Sequence, residues 1–483
     1  MTRTILDCAP QTLWRHFYHL TRIPRPSHHE AQVQAFLQAF GENLGLETLV
    51  DENGNIIIRK PATPGMESRP GVILQGHLDM VPQANADSQH DFTQDPIELC
   101  FDGDWLTAKE TTLGADNGIG VAAAMAVLES KEIAHGPIEG LFTSNEEDGM
   151  TGAFGLRAGL LQGEILINMD SEDEGVLFIG CAGGIDATSQ LPYVEEEVVG
   201  DVCAFKLSLT GLKGGHSGVD IHRGRGNANK LLFRLLRQGM LKYGLRLCSV
   251  NGGSLRNAIP REAFAWITLP QAQVDNFSAY LMDQQEIISN ELAHADPAVS
   301  VALVPAETPP SWLGMQLEAR LINLVCAAPH GVIRMSDEMP GLVETSINLA
   351  IVRSEKGVVE VQSLIRSSVD SARDDLSSTT DALFSLAGAE TEFGGAYPGL
   401  KPNMASAALS IMQEAYQELF DTEAKISAIH AGLECGILGG NYPHLDMISF
   451  GPTIRFPHSP DERVDIPSVK KFWDLLTVVA GKV

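Results

Sequence analysis

The chain has 483 residues, more than one hydrophobic core usually supports, so its length predicts two or three domains. Apolar residues make up 44% of the sequence and charged residues 20%, which excludes a disordered or fibrous protein. The formal net charge of −28 repels phosphate backbones and anionic lipid head groups, and therefore argues against nucleic acid and membranes as partners.

The N-terminal segment lacks an unbroken apolar core behind its basic residues. Nowhere does an uncharged apolar stretch approach the roughly 20 residues that span a bilayer. The seven cysteines are odd in number and scattered, without a CxxC pair, which is typical of a reducing compartment and argues against a cysteine zinc site. We therefore expect a cytoplasmic protein.

The first part of the chain alternates between helical and strand-like segments. Helices are predicted over 11–21 and 29–43, with Ser27 in a position to cap the second one. Short apolar runs rich in β-branched residues follow, separated by helical segments such as 120–130, and this alternation is typical of an α/β layer with a buried sheet. The predicted strands are 55–58, 72–75, 138–143 and 165–168.

Beyond Gly183 and Gly184 the pattern changes to strands of a half-exposed antiparallel sheet, with long helices that cover one face. The predicted strands are 205–210, 263–269, 299–304, 345–352 and 359–367. The predicted helices are about 226–241, 273–293, 313–327 and 368–387.

The C-terminal part returns to the α/β pattern, with a helix at about 404–419 and strands at 425–429 and 447–450. It is therefore predicted to complete the first domain. The predicted organisation is an α/β domain formed by 1–185 and 399–483, with an α+β domain, 186–398, inserted between its two parts.

The first chemical motif is a histidine and an aspartate, His77 and Asp79, at the end of a predicted strand. In an open α/β sheet, ligands bind at the C-terminal ends of strands. A single histidine there is also compatible with a hydrogen-bonded structural residue. The pair favours a metal site, because a metal-binding imidazole usually needs a carboxylate that fixes its ring.

A glycine-rich segment that contains Asp116 precedes a predicted helix. Two other interpretations compete with a metal-binding role: Asp116 or Asn117 caps the helix, or residues 118–123 form a GxGxxA nucleotide-binding loop. We reject the nucleotide loop, since Asp116 would place a negative charge where a pyrophosphate must lie. The helix cap remains an alternative.

Further carboxylates and a second histidine follow apolar runs or lie in loops. Glu146 and Glu147 come after the strand 138–143. If a cation lies beside them, one glutamate can bind the metal while its neighbour accepts a proton from water. The alternative interpretation is a solvated acidic loop. Asp170 ends another apolar run, and His458 lies in a loop bracketed by prolines. Oxygen and nitrogen ligands of this kind suit Zn²⁺, with Mn²⁺ or Co²⁺ as substitutes.

These motifs resemble those of a known family. GHLDMVP, LGADNGIG, TSNEEDGMTGA, INMDSEDEG and HSPDERV are similar, in order and spacing, to motifs of the dinuclear-zinc metallopeptidases that include carboxypeptidase G, aminoacylase and the dipeptidases. GGHSGVDIHRGRGNANK, RNAIPRE and HAGLECG resemble the aminoacyl-histidine dipeptidase branch, the cytosol non-specific dipeptidases. The resemblance implies a zinc-peptidase catalytic domain with an inserted lid and dimerisation domain.

The same resemblance implies a pair of divalent metal ions, most simply Zn²⁺. His77, Asp116 and Asp170 would hold one ion. Asp116, Glu147 and His458 would hold the other, so that Asp116 bridges the two.

The resemblance also implies catalytic roles for three residues. Glu146 would be the general base that takes a proton from a metal-bridging water. Asp79 would orient the first histidine ligand. His216 matches the family histidine that hydrogen-bonds the tetrahedral oxyanion, commonly from the partner subunit of a homodimer formed through the lid domain.

Four residues resemble groups that meet the substrate. Asn257 and Arg366 are similar to lid groups that bind the terminal carboxylate of a small peptide. Gly432 would supply backbone contacts, and Glu434 is a candidate for binding the free amine.

The expected reaction is metal-dependent hydrolysis of dipeptides with broad specificity, including Xaa-His peptides such as β-alanyl-histidine. An alternative is an N-acyl amino acid deacylase or desuccinylase with the same metal site, since the ligands do not determine which acyl group is cleaved. A third interpretation is a non-catalytic binding protein. Glu146 beside Glu147 argues against it, because a binder needs no base next to a ligand.

Overall fold

The computed structural model describes residues 4–483. The chain divides into two compact units. The terminal unit comprises Met1–Cys181, Leu400–Ala428 and Leu433–Val483, and the inserted unit comprises Ala182–Gly399 and Ile429–Gly432. Within residues 4–483, no helix combines the length and the apolar character that crossing a bilayer requires.

The α-helices are α1 Gln11–Thr21, α2 Ala31–Asn43, α3 Ala115–Glu129, α4 Thr151–Gly155, α5 Ala228–Tyr243, α6 Val274–Glu291, α7 Met315–Ala327, α8 Asp370–Leu386, α9 Ala407–Phe420, α10 Glu434–Asn441 and α11 Ile466–Lys482. The first strands are β1 Glu47–Val50, β2 Ile56–Lys60, β3 Val72–His77, β4 Leu99–Asp102, β5 Trp105–Ala108, β6 Ile138–Thr143, β7 Ile165–Asn168, β8 Val176–Cys181, β9 Gly183–Pro192, β10 Glu196–Glu197, β11 Val202–Thr210 and β12 Gly215–His216. The later strands are β13 Arg246–Gly252, β14 Ala258–Ile259, β15 Ala263–Pro270, β16 Ser300–Pro305, β17 Ser311–Trp312, β18 Gly331–Met335, β19 Val343–Glu355, β20 Val358–Ser367, β21 Glu390–Tyr397, β22 Lys425–Ile429, β23 Asp446–Ser449, β24 Ile454–Arg455 and β25 Arg463–Asp465.

The terminal unit is built on an eight-stranded mixed sheet with the strand order β1-β2-β6-β3-β7-β23-β8-β22. Its four central strands, β6, β3, β7 and β23, run parallel to one another. Every residue of β3, β6 and β7 is buried, which explains why these strands are continuous apolar runs in the sequence. The alanine-rich helix α3 packs against β3, and nearly all of its residues are buried.

The inserted unit is built on a nine-stranded sheet, β16-β11-β15-β13-β19-β20-β9-β21, with β18 also paired to β19. All of its ladders are antiparallel. Side chains of the sheet share one hydrophobic core with residues of α5, α6, α7 and α8; Leu207, Phe233 and Phe277 belong to it. The half-exposed alternation of strands such as β11 results from having this core on one side.

The predicted fold class, an α/β peptidase fold with an α+β insertion, is confirmed. The predicted strands 138–143 and 165–168 coincide with β6 and β7. One local prediction was wrong: Ser27 does not cap α2, whose first residue is Ala31. The Ser27 hydroxyl instead donates to Asp79 Oδ2 at 2.8 Å.

Candidate functional site

The four central strands of the terminal unit bring the predicted metal-binding side chains to one edge of the sheet. His77 is the last residue of β3, and Asp170 follows β7 by two residues. Glu146 and Glu147 follow β6 in the same way, and His458 lies in the loop after β24. Because parallel strands end at the same edge, side chains that are distant in sequence converge there.

His77 lies between two carboxylates. Its Nε2 atom is 3.1 Å from Asp116 Oδ1 and 3.2 Å from Asp170 Oδ1. The His77 side chain is only 1% exposed, so water does not separate these groups. This first triad, His77, Asp116 and Asp170, has the composition predicted for one metal ion.

Asp116 also takes part in a second triad. Its other oxygen, Oδ2, is 3.5 Å from His458 Nε2, which in turn is 2.9 Å from Glu147 Oε2. The Asp116 side chain therefore does not cap α3, as the alternative interpretation had it, and α3 has no side-chain cap. Each oxygen of this one carboxylate faces a different histidine, which is the arrangement that a bridging ligand requires.

The distances between neighbouring ligand atoms in the triads, 2.9 to 3.5 Å, equal or fall a few tenths of an ångström below those around a divalent ion. Nitrogen and oxygen ligands of Zn²⁺ lie at about 2.0–2.2 Å in tetrahedral geometry and hence about 3.3–3.6 Å from one another. Glu147 Oε1 is buried and accepts no hydrogen bond among the described residues, and buried Asp170 Oδ1 faces only His77 Nε2, which already bonds Asp116. Buried carboxylate oxygens without donors are costly unless a cation neutralises them, so the residues present fit a pair of metal ions.

The electrostatics of the cluster also suit a bound cation. Burial raises the pKa of Asp170 to about 8, and the neighbouring charge of Asp116 acts in the same direction. Hydrogen bonds to Asp116 and Glu147 raise the pKa of His458 to about 11. Crowded carboxylates thus compete for protons at positions where a cation would relieve their repulsion.

Asp79 fixes the main chain of the loop that carries Glu146 and Glu147. Its Oδ1 and Oδ2 atoms accept the backbone N–H groups of Glu146 at 2.9 Å and Glu147 at 3.2 Å. Asp79 Oδ1 also lies 3.4 Å from His77 Nδ1. Although burial opposes it, the hydrogen bond with His77 lowers the pKa of Asp79 to about 2, so this carboxylate stays charged. It links the histidine of one triad to the loop that carries both glutamates.

Glu146 and Glu147 differ in their surroundings. The Glu147 side chain is 6% exposed and contacts His458, which is not the environment of a solvated acidic loop. Glu146 is half-buried beside His77 and Glu147, and burial raises its pKa well above the ordinary value. A carboxyl with a raised pKa next to the triads is suited to accept and return a proton.

Two buried residues that were not predicted from the sequence organise the Asp116 loop. The Glu462 carboxylate accepts the backbone N–H groups of four successive residues, 113–116, at distances from 2.7 to 3.2 Å. Arg25 donates to the carbonyl oxygens of Leu78, Asp79 and Gly114. The one sequence signal for Glu462 was its position in the same motif as His458. Its role could not be predicted, because its hydrogen-bond partners are main-chain groups.

Glu434 is fully buried in the terminal unit and contacts polar side chains. Its Oε2 atom accepts hydrogen bonds from Gln75 at 2.6 Å and from Thr143 at 2.8 Å, whereas Oε1 has no partner among residues 4–483. Burial raises the pKa of Glu434 to about 7. The binding of an amine by Glu434 stays a prediction.

The remaining predicted residues belong to the inserted unit, where they share one neighbourhood. Arg366 Nε donates to Ser217, the residue after His216, at 3.2 Å. The backbone carbonyl of Asn257 accepts the N–H of Ser217 at 2.8 Å. Gly432 lies in the segment Ile429–Gly432, which approaches the same turn so closely that a Cβ on Gly218 would be 1.9 Å from the carbonyl of His430.

Backbone groups determine the hydrogen-bonding form of His216. Its Nδ1 atom accepts the N–H groups of Gly218 and Val219, both at 3.2 Å, so a neutral ring carries its hydrogen on Nε2. Burial, and then the charge of Arg366, lower the pKa of His216 to about 4. The ring is therefore neutral at pH 7 and offers Nε2–H as a donor.

Comparison with known proteins agrees with the sequence motifs. Residues 73–481 match the model of peptidase family M20/M25/M40. A cytosol non-specific dipeptidase from Escherichia coli (strain K12) is 50% identical over 469 residues, which cover 97% of this chain and 97% of that protein.

Solved structures agree as well. The crystal structure of an aminoacylhistidine dipeptidase from Vibrio alginolyticus is 47% identical, has a TM-score of 0.93 and matches 100% of this chain and 98% of that one. Aminopeptidase PepT from Bacillus cereus ATCC 10987, at 14% identity and a TM-score of 0.57 with 98% and 99% of the two chains covered, shares the fold alone. The resemblance to the metallopeptidases is confirmed, and the chain belongs to peptidase family M20/M25/M40.

Proposed function

We propose that the chain is a metal-dependent dipeptidase of broad specificity whose substrates include Xaa-His peptides such as β-alanyl-histidine. The names of the relatives from Escherichia coli and Vibrio alginolyticus support the substrate class, and both match nearly the whole chain. The observation that carries the proposal is the pair of triads joined at Asp116, whose two oxygens face His77 and His458.

His77, Asp116 and Asp170 would hold one ion, and Glu147, His458 and the shared Asp116 would hold the other. Zn²⁺ suits this set of two imidazoles and three carboxylates. When bound, such a pair of cations polarises the peptide carbonyl and makes a nearby water more acidic.

Glu146 is the proposed general base. It takes a proton from the attacking water and returns it to the departing amine. Its raised pKa favours holding the proton between the two steps. Asp79 positions this carboxylate, because it accepts the N–H of Glu146 while facing His77.

The inserted unit supplies the proposed substrate contacts. The Nε2–H group of neutral His216 stabilises the oxyanion of the tetrahedral intermediate. Arg366 and Asn257 bind the terminal carboxylate of the peptide, and Gly432 contributes backbone contacts. We further propose a homodimer formed through the inserted unit, within which His216 of one copy serves the other, and a cytoplasmic location, as in the name of the Escherichia coli relative.

Metal analysis coupled to a substrate panel tests this function. We expect about two Zn²⁺, Mn²⁺ or Co²⁺ ions per chain, hydrolysis of alanyl-alanine and β-alanyl-histidine, and loss of both activities after chelation with recovery on adding metal. N-acetyl and N-succinyl amino acids form the second arm of the panel. Faster hydrolysis of the acylated compounds than of any dipeptide would establish the deacylase alternative instead.

A further inference from the structure

Arg366 carries a buried positive charge that interacts electrostatically with Asp186 of the same unit but is not paired with it. Its side chain lies near the end of β20, the residue is 5% exposed, and among the described residues no carboxylate forms an ion pair with it. Its hydrogen bonds go to hydroxyl groups, from Nε to Ser217 at 3.2 Å and from Nη1 to Tyr397 at 2.9 Å. A buried guanidinium of this kind is costly unless an anion binds to it.

Tyr397 reaches Arg366 across an intervening strand. In the sheet register Gly184 of β9 is opposite Arg366 on one side and opposite Tyr397 of β21 on the other. Neighbouring strands lie about 4.8 Å apart, so the two side chains begin roughly 10 Å from each other. The tyrosine ring must therefore extend over position 184.

Glycine at position 184 makes this crossing possible. A Cβ atom there would lie 2.7 Å from both Cζ and Oη of Tyr397, which is closer than non-bonded atoms approach. The ring therefore lies directly on the main chain of β9. Gly184 is needed for space and not for an unusual backbone angle.

The main-chain geometry around Tyr397 also favours the contact between Tyr397 and Arg366. The register between β21 and β9 shifts between Gly394 and Tyr397, and Gly395 within the shift has the left-handed φ of 58°. Such bulges change the direction in which a side chain points. Arg373 Nη1 also donates to the Tyr397 carbonyl at 2.8 Å, which fixes the main-chain end of the residue.

The donors that remain on Arg366 face a second donor. A guanidinium has five N–H groups, and the two hydroxyl partners use two of them. The Nη2 atom lies 3.5 Å from Nε2 of His216, and both atoms are donors when the imidazole is in the form described above. An acceptor placed beside both atoms could therefore receive a hydrogen bond from each of them.

We propose that Tyr397 is a positioning residue, whose hydroxyl holds the Arg366 guanidinium in the orientation that binds the C-terminal carboxylate of a peptide, while Gly184 keeps the path between them clear. The inference rests on the proposed role of Arg366. It adds a determinant of specificity for free carboxyl termini, since a flexible arginine loses much of its preference for this planar anion.

Replacing Tyr397 with phenylalanine removes the hydroxyl and keeps the ring. For alanyl-alanine we expect KM of the metal-loaded Tyr397→Phe variant to rise about tenfold while kcat stays within about twofold. Alanyl-alaninamide has no terminal carboxylate, so its KM should stay near the wild-type value. Tyr280→Phe is the matched control, because the buried Tyr280 hydroxyl has no hydrogen-bond partner among the described residues.

Gly184→Ala provides a second route to the same loss without changing either polar side chain. We expect it to raise KM for alanyl-alanine at least as much as Tyr397→Phe, and the double variant to show little additional loss, because both changes break one contact. Wild-type KM in Tyr397→Phe would overturn the proposal. Equal losses for the acid and the amide would also overturn it, since they would indicate a general structural role.

Calorimetry separates this proposal from the proposed reaction. Binding of alanyl-alanine and alanyl-alaninamide is measured in a Glu146→Gln background, with and without Tyr397→Phe. If the acid binds more tightly only when Tyr397 is present, the positioning role holds even for a protein that hydrolyses no dipeptide. If both ligands bind equally in the presence of Tyr397, the role is excluded even for an active peptidase.

Discussion

At the scale of single residues, Glu146 and Glu147 show how neighbours in the chain acquire different tasks. Glu147 contacts His458, whereas Glu146 does not belong to either triad that shares Asp116. Asp79 holds the backbone of both residues, so a change in one carboxylate need not disturb the other. The two triads joined at Asp116 keep all their side chains when Glu146 is changed, although Glu146 also lies within reach of His77 and Glu147 in a third group.

We therefore expect Glu146→Gln to retain its metal content and to lose about 10²–10⁴-fold in kcat, the range that a general base contributes. Metal analysis and steady-state kinetics with alanyl-alanine measure the two effects. Asp148→Asn is the control, because Asp148 is an exposed residue of the same loop and contacts His28. Turnover by Glu146→Gln at the wild-type rate would exclude the general-base role.

At the scale of elements, the strand ends could be predicted and the loops that organise them could not. Strands β6 and β7 were predicted to the residue because parallel, doubly covered strands are unbroken apolar runs. β9 and β21 were not predicted, since glycine-rich and exposed segments carry no such pattern. Helix α11 was missed although Asp465 caps it and a proline lies in its first turn.

The same distinction holds for the candidate site. The five predicted metal ligands lie together, because histidine and carboxylate side chains at strand ends are visible as residue types in a sequence. The role of Glu462 was not visible, since its partners are backbone N–H groups at the start of α3. The prediction that Ser27 caps a helix was wrong for a related reason. A serine hydroxyl can bond a local backbone N–H or a carboxylate that is distant in sequence, and the sequence does not show which of the two it bonds.

The Glu462 contact leads to a prediction for the element that presents Asp116. Glu462→Gln places an amide donor against a row of N–H donors, so the loop 113–116 should loosen. We expect metal affinity to fall about 10- to 100-fold and the free energy of unfolding to fall by about 2–4 kcal/mol. Calorimetric metal titration and urea unfolding measure these effects, and the exposed neighbour Asp461, changed to Asn, serves as control. Wild-type metal affinity in Glu462→Gln would show that the loop holds Asp116 without this carboxylate.

At the scale of the whole molecule, the candidate ligands come from segments on both sides of the inserted unit. His77, Asp116, Glu147 and Asp170 precede it in sequence, and His458 follows it. A metal pair would therefore join the first sequence segment of the terminal unit, Met1–Cys181, to the last, Leu433–Val483. Any agent that binds the folded state but not the unfolded chain stabilises the fold by mass action.

Chelation should accordingly lower the melting temperature of the wild-type protein, by an amount equivalent to about 4 kcal/mol when metal had been present at a thousandfold excess over its Kd. Differential scanning calorimetry with and without chelator measures the shift. His77→Ala removes a ligand buried within the first triad and leaves the second triad complete, so this variant should lose one ion and show a smaller shift on chelation. An unchanged wild-type transition after complete metal removal would contradict the proposed link.

The position of β23 in the sheet has a consequence for synthesis of the protein. This strand lies between β7 and β8, yet the ribosome makes it only after the entire inserted unit. A nascent chain that has emerged as far as β8 lacks an inner strand of its main sheet, and it also lacks His458. Such a chain can form neither the complete sheet nor the complete pair of triads, since both depend on residues that are translated late.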